Sequence, residues 1–310
     1  MPARRALPIG PDVFVDPRIE ELRDRPRLSD FISERLPPEA ARARSSIQKL
    51  AWANYHLDKL KEAAELFVQK DTVGIESEFK AKRPGYDLVF SVLQLPPPDI
   101  VLRTGDVIGN LRDALDHLIW ELTVAYNGSQ LPGTAWPICV SPTQWPLTTV
   151  NGKKNTSSGE WKIRGIAPAL WPEVKRLQPF WRKRKVSARP KHWIWILDEL
   201  RNIDRHRRLA VTPVTTFDTH TTVTIRDRTI WVIQEYRRVL PPKDGSVMER
   251  YRFPPGVSES DVCVDGYVGV VTVVLDEPSA HQRRTDLIGT LDDLYGRVES
   301  VLTKFGSPAV

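Results

Sequence analysis

The chain has 310 residues, a hydrophobic fraction of 41%, a charged fraction of 27% and a formal net charge of +6. A chain of this length can bury a real core, as one large domain or two modest ones. This composition is typical of globular proteins and excludes disorder as the general state of the chain. Cys139 and Cys263 lie far apart and lack the spacing of a structural zinc site. They fit a reducing compartment, with a single bridge between them as the alternative.

Apolar segments are too short to cross a bilayer or to form a signal peptide. The longest apolar run, residues 266–275, covers about half of the length that a bilayer requires, and its β-branched residues predict a buried strand. The apolar stretches near the N-terminus are short and broken by proline. We therefore expect a cytoplasmic protein without a membrane partner.

The first half of the chain predicts mainly helices. Residues 1–36 are rich in proline and arginine and predict an irregular N-terminal arm. Apolar spacing then indicates a helix from about residue 38 to 70, and alternation indicates a β-hairpin over 73–95. The strongest helical pattern covers 99–126 and ends at Asn127–Gly128. Further predicted elements are a long loop over 128–165 pinned by Trp136 and Trp145, a short helix near 168–177 and a helix over about 189–208.

The last third of the chain predicts strands and a closing helix. Strand patterns occur at about 209–217, 221–226, 229–238, 247–253 and 267–275, and an amphipathic helix follows from about Ser279 to Phe305. The expected fold class is α+β, with a helical, bundle-like part packed with a β-rich C-terminal part. The expected organisation is an arm over 1–36, a mainly helical region over 37–208 and a β-rich part over 209–310, the last two alternatively forming one continuous domain.

Two short segments share one pattern. Residues 111–117 read Leu-Arg-Asp-Ala-Leu-Asp-His, and residues 200–206 read Leu-Arg-Asn-Ile-Asp-Arg-His. Each has Leu-Arg, a polar residue, three more residues and histidine, and each falls on a predicted helix. Residues four apart lie on one helix face, so Asp113 and Asn202 are placed to orient His117 and His206.

Histidine with arginine is a workable set of groups for cleaving RNA without a metal. The imidazole can deprotonate the 2′-hydroxyl or protonate the leaving oxygen, and a guanidinium can stabilise charge on the phosphoryl oxygens. Arg112 and Arg201, five residues before their histidines, are the candidate phosphate binders.

This pattern resembles the signature of HEPN-type ribonucleases. The resemblance implies that Arg112, Asp113 and His117 form one catalytic copy and that Arg201, Asn202 and His206 form the other. It further implies a helical bundle, two motif copies meeting across a dimer or tandem interface, RNA as substrate and no cofactor. The 99–126 helix, residues 178–180 and residues 202–207 together also resemble an uncharacterised bacterial family, which implies no function.

A basic and aromatic stretch over 171–208 offers a second functional interpretation. Arginines beside aromatic rings are typical of nucleic-acid contacts, but also of a packed core with a charged rim. The candidate nucleic-acid-binding residues are Arg182, Lys183, Arg184, Lys185, Arg205 and Arg207.

Two further interpretations of the motifs stay open. In the first, the chain is a non-catalytic binding or scaffold protein. The histidines then form buried polar pairs, and Arg112 and Arg201 form ion pairs with Asp116 and Glu199. Independently of this interpretation, Gly109 is expected to allow close helix packing. In the second, carboxylates and imidazoles hold a metal ion, with Asp106, Asp113, Asp116, His117, Asp204 and His206 as the donors.

Overall fold

The structure is a computed structural model with helices and antiparallel sheets, which confirms the α+β class. It describes residues 5–6, 44–70, 72–80, 85–148, 151–181, 192–217, 222–225, 228–229, 233–237, 244–253, 255–265, 269–277 and 282–306. Within these residues, no helix combines the length and the apolar character needed to cross a membrane.

The α-helices of the described residues include one in each predicted helical range, together with α3, which lies within the predicted loop over 128–165. They are α1 (Ser45–Val68), α2 (Pro98–Asn127), α3 (Gly159–Lys162), α4 (Trp171–Arg176), α5 (Trp193–His206) and α6 (Leu287–Gly306). The longest, α2, agrees with the predicted 99–126 to within one residue at each end. It stops before Gly128, whose φ of 73° is a left-handed conformation that glycine adopts without strain.

The strands confirm the predicted hairpin and most of the predicted C-terminal strands. They are β1 (Arg5–Ala6), β2 (Val73–Phe79), β3 (Gly85–Val92), β4 (Val211–Phe217), β5 (Thr222–Ile225), β6 (Arg228–Thr229), β7 (Ile233–Arg237), β8 (Val247–Arg252), β9 (Val262–Asp265), β10 (Gly269–Glu277) and β11 (Gln282–Asp286). The sequence did not predict β1, which falls in the expected irregular arm, or β9.

The predicted start of the last helix, at Ser279, was wrong. Gln282–Asp286 is a strand, and α6 begins at Leu287. The strand has no apolar residue that could continue the buried face of the helix. The Asp286 side chain accepts a hydrogen bond from the Gly289 amide, as residues at helix N-termini commonly do. This bond fixes the helix start eight residues later than predicted.

The hairpin shares a sheet with strands from the last third of the chain. The five-stranded sheet has the order β1-β2-β3-β8-β7. Its β2–β3 pairing runs from Val73 opposite Val92 to Phe79 opposite Tyr86. Separately, β4 pairs antiparallel with β10, and β6-β5-β9 form a three-stranded sheet.

Two compact units divide the chain differently from the predicted boundaries. Among the described residues, the sheet unit takes 5–6, 62–98 and 211–275, and the helical unit takes 44–61, 99–210 and 276–306. The hairpin belongs with the later strands because strands pair across any sequence separation. The last helix, α6, belongs to the helical unit, whereas the predicted boundary at 208/209 placed it in the β-rich part.

The helical unit contains the residues of both motifs. Its core has apolar residues of α1, α2 and α5 with almost no exposed surface: Leu50, Leu57, Leu60, Leu111, Leu115, Ile119, Leu197 and Leu200. Trp136 and Trp145 are also buried and contact Phe305 and Phe180, as expected of residues that anchor the segment 128–165. The Lys61 ammonium lies 2.9 Å from an Asp292 carboxylate oxygen of α6.

Candidate active site

Helices α2 and α5 cross closely at two glycines of α2. A Cβ atom on Gly105 would lie 2.5 Å from a carboxylate oxygen of Asp204, and one on Gly109 would lie 2.7 Å from the Arg201 Nη1. Further along α2, the Arg112 Nε lies 3.3 Å from the Asp198 Oδ1. Residue numbers rise along α2 as they fall along α5, so the two helices are antiparallel. Gly109 therefore allows close helix packing, as predicted.

Arg112, the arginine of the first motif, is hydrogen-bonded to residues of its own chain. Arg112 donates from Nη1 to Asp116 at 2.5 Å, from Nε to Asp198 at 3.3 Å and from Nη2 to the Trp136 carbonyl at 3.2 Å. Its side chain is only 12% exposed. The predicted ion pair with Asp116 is confirmed. Arg112 thus ties α5 and the segment at Trp136 to α2, and a phosphate would have to displace these partners.

Asp113 contacts cations of two other helices. Its Oδ2 lies 3.0 Å from the Lys49 ammonium of α1, and its Oδ1 lies 3.8 Å from the Arg201 Nη2 of α5. Asp113 had been expected to orient His117. Within the described residues, its contacts are with Lys49 and Arg201 instead, because those cations reach it from the flanking helices.

His117 lies in an open depression between α1 and α2. The depression has a volume of about 300 Å³ and is lined by Ser45, Gln48, Lys49, Trp52, Asn110 and His117. The imidazole is half-buried. Among the described residues, it has no hydrogen-bond partner, so both ring nitrogens are available to a ligand.

Lys49 is held at the edge of this depression. Its ammonium donates to the Asp113 Oδ2 at 3.0 Å and to the Asn110 Oδ1 at 3.3 Å. An ammonium has three N–H donors, so these two acceptors leave one donor for an anion. The side chain is 34% exposed. Lys49 therefore offers an accessible positive charge beside an accessible imidazole.

The second motif lies at the end of α5 in a different setting. Asn202, Arg205 and His206 are exposed. The Asn202 Nδ2 donates to the Asp198 Oδ2 at 3.5 Å, and not to the histidine that it had been expected to orient. Arg201 was expected to pair with Glu199, but it lies 3.8 Å from both Asp113 and Asp204.

Arg207 belongs to a structural ion pair at the end of α5. Its guanidinium donates in a bidentate manner to Glu277, at 2.6 and 3.3 Å. The Glu277 carboxylate is fully buried and also accepts from the Ala210 amide. Arg207 thus neutralises a buried charge. The other predicted nucleic-acid-binding residues, Arg182, Lys183, Arg184 and Lys185, lie outside the described residues.

Within one chain, the structure does not bring His117 and His206 together. Asp204 is level with Gly105, and His117 follows Gly105 by twelve residues. At 1.5 Å per residue, this spacing is about 18 Å along α2. His206 lies beyond Asp204 in the opposite direction, because the helices are antiparallel. The two imidazoles therefore cannot act on one bond of one RNA bound to a single chain.

Carboxylates cluster where α1, α2 and α5 meet, but they do not form a metal site. The pKa of the Asp204 carboxyl is raised mainly by burial, an effect that Arg201 opposes and Asp106 reinforces. Asp106 lies 3.5 Å from the His56 Nδ1. Among the described residues, no three His, Cys, Asp or Glu side chains stand close enough to hold a metal ion. The six donors considered for a metal thus do not converge.

Sequence reasoning missed Lys49 and Trp52, which line the depression. The signal lies in α1. Its buried residues Leu50, Ala53, Leu57 and Leu60 follow a spacing of three and four, and Trp52 falls outside that stripe. An aromatic residue off the buried stripe of a helix predicts an exposed ring. Comparison of the chain with family models, with curated proteins and with solved structures finds no match.

Proposed function

We propose that this chain is a HEPN-like, metal-independent endoribonuclease in which His117 acts as the acid/base group. This proposal rests on the open depression between α1 and α2, in which the His117 imidazole lies beside Lys49. Among the described residues, this imidazole has no hydrogen-bond partner. Histidine is the most frequent side chain in proton transfer, and a cation beside it can stabilise a phosphoryl group.

The proposed reaction uses the RNA's own 2′-hydroxyl. His117 removes the proton of the 2′-hydroxyl, and the 2′-oxygen attacks the adjacent phosphorus. The bond from phosphorus to the 5′-oxygen breaks, and the 5′-oxygen takes a proton from solvent. The products are a 2′,3′-cyclic phosphate and a 5′-hydroxyl. Lys49 stabilises the charge that develops on the phosphoryl oxygens.

The motif arginines have a different role in this proposal from the one that the resemblance implies. Arg112 is 12% exposed and has three partners inside the chain, so it positions the helices and Lys49 takes the phosphate. His206 and Arg205 lie at the far end of α5 and serve as a secondary contact for the RNA backbone.

Cleavage of a labelled single-stranded RNA in excess EDTA tests this proposal. Wild type is expected to release a 2′,3′-cyclic phosphate, and His117→Ala is expected to lose at least about 99% of the rate. The same strand with a single 2′-deoxyribose is expected to resist cleavage at that position only. No chelator-resistant cleavage, or cleavage unchanged in His117→Ala, would overturn the proposal.

A site composed of residues from two copies of the chain would give a different result when inactive variants are mixed. If His117 of one copy works with His206 of another, His117→Ala and His206→Ala are both inactive alone. An equal mixture would then recover about a quarter of the wild-type activity, because half of the dimers are mixed and each has one intact site. The single-chain site proposed here predicts no recovery on mixing.

A non-catalytic binding or scaffold protein is the second candidate. The observation that favours it is that the ion pairs of Arg112 and Arg201 join helices of one chain. This candidate predicts RNA affinity that falls as salt rises and no cleavage product at any enzyme concentration. The cleavage assay in EDTA separates the two candidates.

A further inference from the structure

Two large aromatic side chains are exposed beside the His117 depression. Trp52 and Tyr55 of α1 are 55% and 47% exposed. Their rings are stacked, with centroids 5.2 Å apart and planes inclined by 18°. Single exposed apolar residues are common, but a parallel pair presents a flat π-surface of fixed orientation.

His56 holds this pair in place. Its ring stands edge-on to both aromatic rings, at 5.3 Å and 82° to Trp52 and at 5.4 Å and 80° to Tyr55. The His56 side chain is only 14% exposed, and its Nδ1 lies 3.5 Å from Asp106. The aromatic pair is therefore supported from below by a nearly buried ring. Such preorganisation lowers the entropy cost of binding a planar ligand.

Trp52 lines the depression, whereas Tyr55 does not. The α1 residues that line the depression, Ser45, Gln48 and Lys49, all precede Trp52, whereas Tyr55 follows it. Because Tyr55 is stacked on one face of the Trp52 ring, the opposite face is the one available to a planar ligand. A planar group entering there would extend the stack beyond Trp52.

We propose that Trp52 and Tyr55 form a stacking subsite for one unpaired base of a single-stranded nucleic acid. Base–aromatic stacking tolerates any base, because every base has a π-face. The inference rests on the proposed function in one respect, since it places that base next to the bond that His117 cleaves. It assigns unpaired strands as the substrate class, because a base within a duplex cannot lie on an external ring.

The charges around the pair are mixed. Near Tyr55, the 54% exposed Asp106 carboxylate lies against His56, and the Arg103 guanidinium interacts with both Tyr55 and Asp106. In the depression that Trp52 lines, the Lys49 ammonium pairs with Asp113 and Asn110 and keeps one donor for an anion. Lys49 is therefore the cation that we expect to contact the phosphate beside the stacked base.

Binding of a fluorescein-labelled single-stranded DNA, followed by anisotropy, tests the subsite. DNA lacks the 2′-hydroxyl and cannot be cleaved by the proposed reaction, so the result does not depend on catalysis. Trp52→Ala is expected to weaken binding by about tenfold, and Trp52→Phe by less than about threefold, because phenylalanine keeps an aromatic face. Tyr126→Ala, which removes a 59% exposed tyrosine of α2, serves as the matched control and leaves affinity unchanged.

An abasic position in the strand identifies the stacked base. Scanning one abasic site along the DNA is expected to find a position that costs wild type about tenfold in affinity. At that position, Trp52→Ala and the abasic site together weaken binding no more than either alone. Affinity unaffected by Trp52→Ala, no binding of the DNA, or additive losses at every position would overturn the inference. None of these outcomes decides whether His117 cleaves RNA.

Discussion

The two Arg-polar-x-x-x-His segments of this chain have the same spacing and very different surroundings. Arg112 is 12% exposed and has three close partners, whereas Arg201 is 29% exposed and its ion pairs are 3.8 Å long. His117 lies in a lined depression, whereas His206 is exposed at the end of α5. The position of a motif along its helix, and the helix that it crosses, therefore decide what its residues can do.

Replacing the two arginines separately tests this difference most strongly. Arg112→Met removes the guanidinium that donates to Asp116, Asp198 and the Trp136 carbonyl, and is expected to lower the free energy of unfolding by about 3 kcal/mol. Arg201→Met breaks longer and more exposed pairs and is expected to cost about 1 kcal/mol. Urea unfolding measures both changes. Equal losses would remove the structural distinction between the two motifs.

Alanine at the crossing glycines tests the packing of the second motif on α2. Gly105→Ala places a Cβ atom 2.5 Å from the short Asp204 side chain, and is expected to destabilise the fold by about 2 kcal/mol. At Gly109 the obstacle is the flexible end of Arg201, so steric strain and helix propensity are expected to cancel to within about 1 kcal/mol.

Gly296→Ala is the control for the glycine series. Gly296 lies in α6, and among the described residues its added Cβ meets nothing within 4 Å beyond its chain neighbours and the local backbone of the helix. This substitution is expected to stabilise the fold by about 0.5 to 1 kcal/mol through helix propensity alone. Thermal melting compares the three variants. A Gly105→Ala variant as stable as Gly296→Ala would contradict the close helix crossing.

A smaller change in stability than in the glycine series is expected for Asp204→Asn, and this change depends on pH. Burial raises the pKa of the Asp204 carboxyl in the folded state, so ionising it opposes folding. This penalty is absent below the carboxyl's unfolded pKa and fully present above its folded pKa. As pH rises from about 3 to about 7, Asp204→Asn is expected to gain stability relative to wild type. Urea unfolding across this range measures the difference, and a change in the opposite direction would contradict the burial of Asp204.

The local sequence pattern predicted the helices and strands better than it predicted which of them pair or pack together. The buried residues of α2 follow helical spacing from Ile100 to Thr123, and a glycine follows the helix, so its bounds are correct to within one residue. The start of α6 was wrong because strand β11 precedes it, and a short polar strand has no periodicity of its own. The place of the hairpin beside β8 was not predicted, since strand pairing joins segments distant in sequence.

The candidate site shows the same limit. The spacing of Arg112 and Asp116 predicted their ion pair correctly, because residues four apart on a helix are neighbours. The contact of Asp113 with Lys49 joins residues 64 positions apart, and nothing in either local sequence indicates it. Trp52 beside His117 likewise depends on how α1 lies along α2. Contacts within a helix are thus predictable from sequence, whereas contacts between helices require the structure.

Comparing His117→Gln with His206→Gln shows which of the two histidines takes part in RNA cleavage. The single-turnover rate of RNA cleavage in EDTA would be measured for both, at equal folded fractions judged by circular dichroism. We expect His117→Gln to lose at least about 99% of the rate and His206→Gln to lose less than about two thirds. Equal rates for the two variants, or a larger loss for His206→Gln, would contradict the assignment of the working histidine to the α1–α2 depression.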